Sequence, residues 1–262
     1  MSSNIFNANR FMLLWRQHFI QNTQMLLLAA GAYIGVIFFI LSFAQLGNDL
    51  VPHDLENFRG FLLGFVGVFG VIYVGHSFPA FRSKEKSINY LMVPGSVLEK
   101  FLFELLSRIG IILILLPFLY WITFHLQGYF LTMFSEYVFK PIGFEFLTGI
   151  EPTQIDDFAW LAFVIVSAVL LGYVLAFTGA AMFSKQPLVK TLFALAVIMI
   201  AYSGVAFIVI EHLGVGKYDP PDVMWLLPNN EVGAFKFFSI VLIAANMIML
   251  IVAFRKLKER EA

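Results

Sequence analysis

The feature that most limits what this chain can become is a set of six long apolar runs, about Met25–Ala44, Phe61–Phe78, Ile109–Phe124, Phe158–Met182, Thr191–Ile210 and Phe237–Phe254. A helix needs about 20 mostly apolar residues to cross roughly 30 Å of hydrocarbon. A spanning helix also satisfies its own backbone hydrogen bonds, which hydrocarbon cannot do for it. The runs leave no room for a soluble domain within 262 residues, and with 60% hydrophobic and 13% charged residues the chain is far more apolar than a soluble domain of this size. The expected fold is all-α: one polytopic transmembrane domain over residues 1–262, with six transmembrane helices. The first run is too long, and too far from the N-terminus, for a cleaved signal segment, so it is read as a retained span.

The charges order these spans. Net charge is zero, yet thirteen of the seventeen Lys and Arg fall in segments 1–24, 79–108, 184–190 and 255–262. Twelve of the seventeen Asp and Glu fall in the alternate segments. Basic loops stay in the cytoplasm, so both termini are expected there, with the membrane crossed several times. Residues 5–22 carry Phe11, Leu14, Trp15 and Phe19 at helical spacing, with Arg10, Arg16, Gln17 and Gln21 elsewhere on the wheel. This pattern suits a separate N-terminal helix lying in the cytoplasmic interface, or else an extension of span one.

Between spans two and three lies the longest strongly charged insert, the cytoplasmic loop 79–96. Ser83–Val93 can form a short helix placing Ile88, Leu91 and Met92 on one side and Lys84, Glu85, Lys86 and Asn89 elsewhere. Pro94 and Gly95 break it. Ser96 followed by Glu99 forms a capping box, which starts the third span at Val97 and gives it the range 97–124. Its base projects beyond the bilayer, with Glu104 and Arg108 spaced as an i, i+4 pair. The outer segment 126–157 is long and aromatic, and is expected as amphipathic or re-entrant pieces at the outer surface. The small residues Gly60, Gly64, Gly67 and Gly70 in span two, and Gly172 and Gly179 in span four, mark faces where another helix can approach closely.

Chemistry of its own is not expected of this chain. The centres of all six spans lack ionisable residues, which argues against a proton- or ion-driven carrier. Asn246 is the one strongly polar side chain at depth and suits an interhelical hydrogen bond. With no cysteine, and five histidines that form no HExxH pair, neither a metal nor another cofactor is expected. Ser203 sits in Tyr202-Ser203-Gly204, a faint likeness to the intramembrane rhomboid motif, but without a histidine to activate it. No GxxxxGK[ST] phosphate loop occurs, so any ATP hydrolysis belongs to another polypeptide.

The stretch Arg82-Ser83-Lys84-Glu85-Lys86, then Tyr90-Leu91-Met92-Val93-Pro94-Gly95-Ser96 and Glu99-Lys100, resembles the coupling segment of permease subunits of bacterial type-2 ABC transporters. The resemblance also covers six spans, inner termini and the amphipathic N-terminal helix, while the outer segment 126–157 is longer than that family's pattern. It implies a non-enzymatic permease subunit of an exporter, forming the substrate path as a dimer with itself or a related permease. A separate ABC ATPase subunit would dock on a coupling helix through Arg82, Lys84, Glu85, Lys86, Asn89 and Tyr90, while Ile88, Leu91 and Met92 pack back on protein or membrane lipid. Nucleic acid is not an expected partner. The alternative reading is a non-transporting membrane scaffold or assembly protein that uses its glycine faces to bind other membrane proteins.

Overall fold

The computed structural model describes residues 6–47, 55–92, 95–134, 139–143, 155–212 and 231–261. Residues 48–54, between the first two spans, and 213–230, between the last two, lie outside them. Every regular element among the described residues is helical. In order these are α1 (Ala8–Gly47), α2 (Leu55–Val74), a 3₁₀ turn (Pro79–Arg82), α3 (Lys84–Met92), α4 (Val97–Leu105), a π turn (Leu106–Gly110), α5 (Ile111–Thr132), α6 (Ile155–Met182), α7 (Pro187–His212) and α8 (Glu231–Glu261). Four stretches are long and apolar enough to cross a membrane: Ala8–Ala44, Val97–Thr132, Ala159–Met182 and Val232–Arg260. Shorter apolar stretches, Phe58–Val74 and Pro187–Ala201, belong to α2 and α7.

The residue distribution is that of a membrane-embedded protein. Leu28, Phe193, Ile200 and Ile114 are exposed, whereas Thr123, Gln127, Ser167, Thr178 and Asn246 are buried. In water such continuous apolar surface would drive association; against lipid tails it costs nothing.

Two expectations from the sequence are corrected. The N-terminal segment is not a separate interfacial helix, because α1 runs unbroken for 40 residues, about 60 Å at 1.5 Å per residue. No proline interrupts it, and its mid-helix polar residues turn onto their own helix. Asn22 Nδ2 donates to the His18 carbonyl at 3.0 Å, and the Thr23 hydroxyl donates to the Phe19 carbonyl. Such back-bonding satisfies the side chain without ending the helix. The third span does not stop at Phe124 either: α5 continues to Thr132.

Contacts divide the chain into two compact units, Met1–Tyr73 with Leu91–Gly149, and Val74–Tyr90 with Ile150–Ala262. In the first, α1 and α4–α5 run in the same direction. Trp15 and His18 lie 5.5 and 5.3 Å from Phe103, the Tyr33 hydroxyl donates to the Leu116 carbonyl at 3.3 Å, and Phe38 meets Phe130 at 5.3 Å. α2 runs the opposite way, with Phe58 on Phe124 at 4.8 Å and Tyr73 under Arg108 at 5.1 Å. The buried positions of α4–α5 step by three or four residues through Glu104, Ser107, Ile112, Leu116, Tyr120, Thr123 and Gln127. The single step of five falls at the π turn, where Ile109 is also buried. At the far end of α5 the segment 139–143 folds back over the helix. Trp121 Nε1 donates to the Ile142 carbonyl at 2.9 Å, the Ile142 N–H donates to His125 Nε2 at 3.1 Å, and Phe139 lies over Gly128. Of the outer segment 126–157, expected as amphipathic or re-entrant pieces, residues 126–132 prolong α5 and 155–157 open α6, while 139–143 fold back in this way.

In the second unit α6 and α8 run together along most of their length. Asn246 Nδ2 donates to the Ser167 carbonyl at 3.2 Å, the Thr178 hydroxyl donates to the Met249 carbonyl at 3.2 Å, and Arg260 Nη2 donates to the Met182 carbonyl at 2.8 Å. α7 returns against α6 after a short turn, where Gly179 faces Thr191.

The two glycine faces therefore differ, and substitution reads the difference. A Cβ at Gly179 would fall inside the Thr191 side chain, whereas at Gly60, Gly64 and Gly67 it would meet nothing within 4 Å. Gly179→Ala is expected to lower unfolding stability in detergent by about 1–3 kcal/mol, the usual cost of overpacking, with partial rescue by Thr191→Ala. Gly64→Ala is expected to be neutral or slightly stabilising, which equilibrium unfolding in SDS–detergent mixtures checks directly.

Candidate functional site

The polar segment between α2 and α4 is fixed at both of its ends. Phe78 adopts a left-handed backbone with φ 53° and ψ 49°, a conformation that costs a non-glycine residue about 1–2 kcal/mol. The turn it makes drives the ring into the second unit, where it is 1% exposed and 4.9 Å from the Phe177 ring of α6. Burying a phenylalanine returns about 1.5–3 kcal/mol, enough to offset the strained backbone.

Three residues on, Phe81 is held between two partners. The Tyr90 ring of α3 meets it edge-on at 5.2 Å, and the Arg260 guanidinium of α8 lies 5.2 Å from its centroid. The Ser87 hydroxyl bonds the Ala80 and Ser83 carbonyls at 3.0 Å each, tying α3 to the 3₁₀ turn that precedes it.

These contacts settle which face of α3 turns inward. Ser87 and Tyr90 are half-buried, while Glu85, Ile88 and Met92 are exposed, Ile88 at 57% and Met92 at 76%. Exposed Ile88 and Met92 do not pack on the protein within these residues, which leaves membrane lipid, the other expected surface, for them. Tyr90, expected on the outer face, is half-buried because Phe81 supplies an aromatic partner that the helical wheel of α3 alone does not reveal. Arg82 is exposed, as expected. The side chains of Lys84, Lys86, Asn89 and Leu91 lie outside the described residues. The exposed face carries two apolar side chains, Ile88 and Met92, beside an acidic one, Glu85, and a basic one, Arg82.

At the downstream end the expected capping box is present: Ser96 Oγ accepts from the Glu99 N–H at 3.2 Å, and the Glu99 carboxylate accepts from the Ser96 N–H at 2.8 Å. The same carboxylate, 0% exposed, also accepts from the Asn7 N–H at 2.7 Å and from Arg10 Nη2 at 3.1 Å. Asn7 in turn caps α1, its Oδ1 accepting from the Asn9 N–H at 2.9 Å. One buried carboxylate therefore joins the first turns of α1 and α4. Sequence reasoning found the local half of this hub and missed Asn7 and Arg10, which have no local spacing to Glu99. The expected Glu104–Arg108 pair forms at 3.4 Å.

Of the other residues singled out, Gly70 is buried and Gly172 half-buried, while Ser203 is exposed on α7. Among the described residues no three His, Cys, Asp or Glu side chains cluster as a metal site. Comparison with protein-family models, with curated proteins and with solved structures finds no match to this chain.

Glu99→Ala would leave two backbone N–H groups and a guanidinium without their acceptor. It is expected to destabilise by about 2–4 kcal/mol, given that breaking a buried charge pair costs about 3–5, and that Arg10 here is part-exposed. Ser96→Ala should lose about 1 kcal/mol, the usual value of a cap. A double-mutant cycle of Glu99→Gln with Arg10→Gln should give coupling of about 0.5–3 kcal/mol; additive losses would show that the carboxylate serves only as a local cap.

Proposed function

We propose that this chain is the transmembrane permease subunit of an ABC-type exporter, forming its substrate path as a dimer and driven by a separate ATPase subunit. The observation that carries the reading is α3: a short helix backed by Phe81, over which Arg260 lies, with Glu85, Ile88 and Met92 exposed among the described side chains. A helix mounted in this way suits the delivery of force from a docked protein. Its chain continues directly into the capped start of α4.

In this reading the chain crosses a bacterial plasma membrane six times with both termini in the cytoplasm. α2 and α7, 20 and 26 residues long, supply the two crossings beyond the four longest apolar stretches. The alternating directions of α1, α2 and α4–α5, and of α6, α7 and α8, agree with successive crossings. The charge asymmetry places the α3 side in the cytoplasm, where ATP is found. The absence of ionisable residues at the span centres fits a driving force that arrives mechanically. The open face at Gly60, Gly64 and Gly67 fits a second subunit across the path, and equally the partner of a non-transporting scaffold.

The test is capture of the tagged protein from its native membrane in mild detergent, with identification of what accompanies it. A stoichiometric P-loop ATPase is expected, lost when Arg82–Tyr90 is replaced by a Gly/Ser linker. Ile88→Asp with Met92→Asp should reduce recovery at least tenfold, whereas Ser203→Ala should change nothing. Recovery of the chain with other membrane proteins and no ATPase would establish the scaffold instead.

A further inference from the structure

The chain enters the α3 segment from α2 and leaves it into α4, so the covalent path suggests that a force on α3 is felt first by those two helices. The side-chain contacts point elsewhere. Phe78 is seated on Phe177 of α6 at 4.9 Å, and Phe81 lies under Arg260 of α8 at 5.2 Å. Arg260 also donates to the Met182 carbonyl at the end of α6, so one guanidinium on α8 touches both the 3₁₀ turn before α3 and the end of α6. α6 and α8 are themselves tied at Ser167–Asn246 and at Thr178–Met249. Two helices bonded at three levels move as one body, because packed interiors transmit strain rather than absorb it.

We propose that Arg260 is a positioning residue that pins α3 to the α6–α8 pair, so that a displacement of α3 is delivered to this pair. The proposal rests on the permease reading for its use, though not for its geometry. A cation over an aromatic face is directional, and the second bond to Met182 fixes the guanidinium while it acts. Phe78 is the second key, held by its left-handed turn.

The experiment uses the full-length chain in lipid nanodiscs and amide hydrogen exchange. Arg260→Gln keeps a side-chain donor but removes the charge. It should raise exchange over residues 84–90 at least fivefold and leave residues 97–105 unchanged. Arg260→Lys, which keeps the cation, should stay within twofold of the parent. Unchanged exchange at 84–90 in Arg260→Gln would overturn the pin, as would an equal effect of Arg260→Lys. Phe81→Leu tests the same contact from the other side should Arg260→Gln insert poorly.

In the complex with the captured ATPase, a non-hydrolysable ATP analogue should alter exchange over 155–182, and Arg260→Gln should abolish that change while hydrolysis persists. A change that survives Arg260→Gln would overturn the route. If no ATPase is captured, the permease reading fails and the route with it, while the exchange data on the chain alone still decide the pin.

Discussion

Helices in hydrocarbon gain nothing from hiding apolar side chains from each other, since lipid is as apolar as leucine. What holds them must therefore be close approach and polar contact. The α6–α8 pair is built on this constraint. Ser167, Thr178 and Asn246, all buried, place their polar atoms at the shared face, and Gly179 lets α7 come against the same bundle. The remaining surface is free to be apolar, and Leu28, Ile114, Phe193 and Ile200 use that freedom. With α6 and α8 tied together, a segment resting on Phe177 of α6 and on the basic end of α8 acquires a firm base, and the segment that rests there follows α2.

The parts of the structure that were legible in the sequence are those set by neighbours along the chain. Ser96 and Glu99 announce a helix start because a capping box closes within one turn, and Glu104 and Arg108 meet because four residues bring two side chains to the same face. The break between α3 and α4 follows from Pro94 and Gly95. What was not legible depends on residues far apart in number. Nothing local to Glu99 announces Arg10 and Asn7, and nothing within α3 announces Phe81 and Arg260. The hydrophobic wheel of α3 groups Ile88 with Met92, but it carries no sign of the aromatic partner that half-buries Tyr90. In α1 the difference was of another kind: residues 5–22 suited a separate helix as well as an extension of span one, and Asn22 and Thr23 bond back to the helix they belong to.

The loop between α2 and α4 thus combines opposite demands. Its backbone is strained at Phe78 and strongly held at Phe81, Ser87 and Glu99, while its outer face remains open and mixed in character. A segment meant only to connect two helices needs none of these holds, since a flexible turn would serve. On the proposed permease reading, the hold at Phe81 suits a segment that receives a push, because compliance there would dissipate the movement.

The π turn at Leu106–Gly110 carries a further meaning for the base of α4. One additional residue in a helix shifts everything beyond it by about 100° around the axis. A straight α-helix of the same sequence that kept Ile112, Leu116 and Tyr120 against α1 and α2 would turn the Glu99 carboxylate roughly a quarter-turn away from Arg10 and Asn7. The widened turn is thus a phase adjuster. It lets one continuous rod present two differently aligned faces, one reading the aromatic interior and the other the polar ends of its neighbours, and migration of the bulge along the rod would exchange one alignment for the other without breaking the helix.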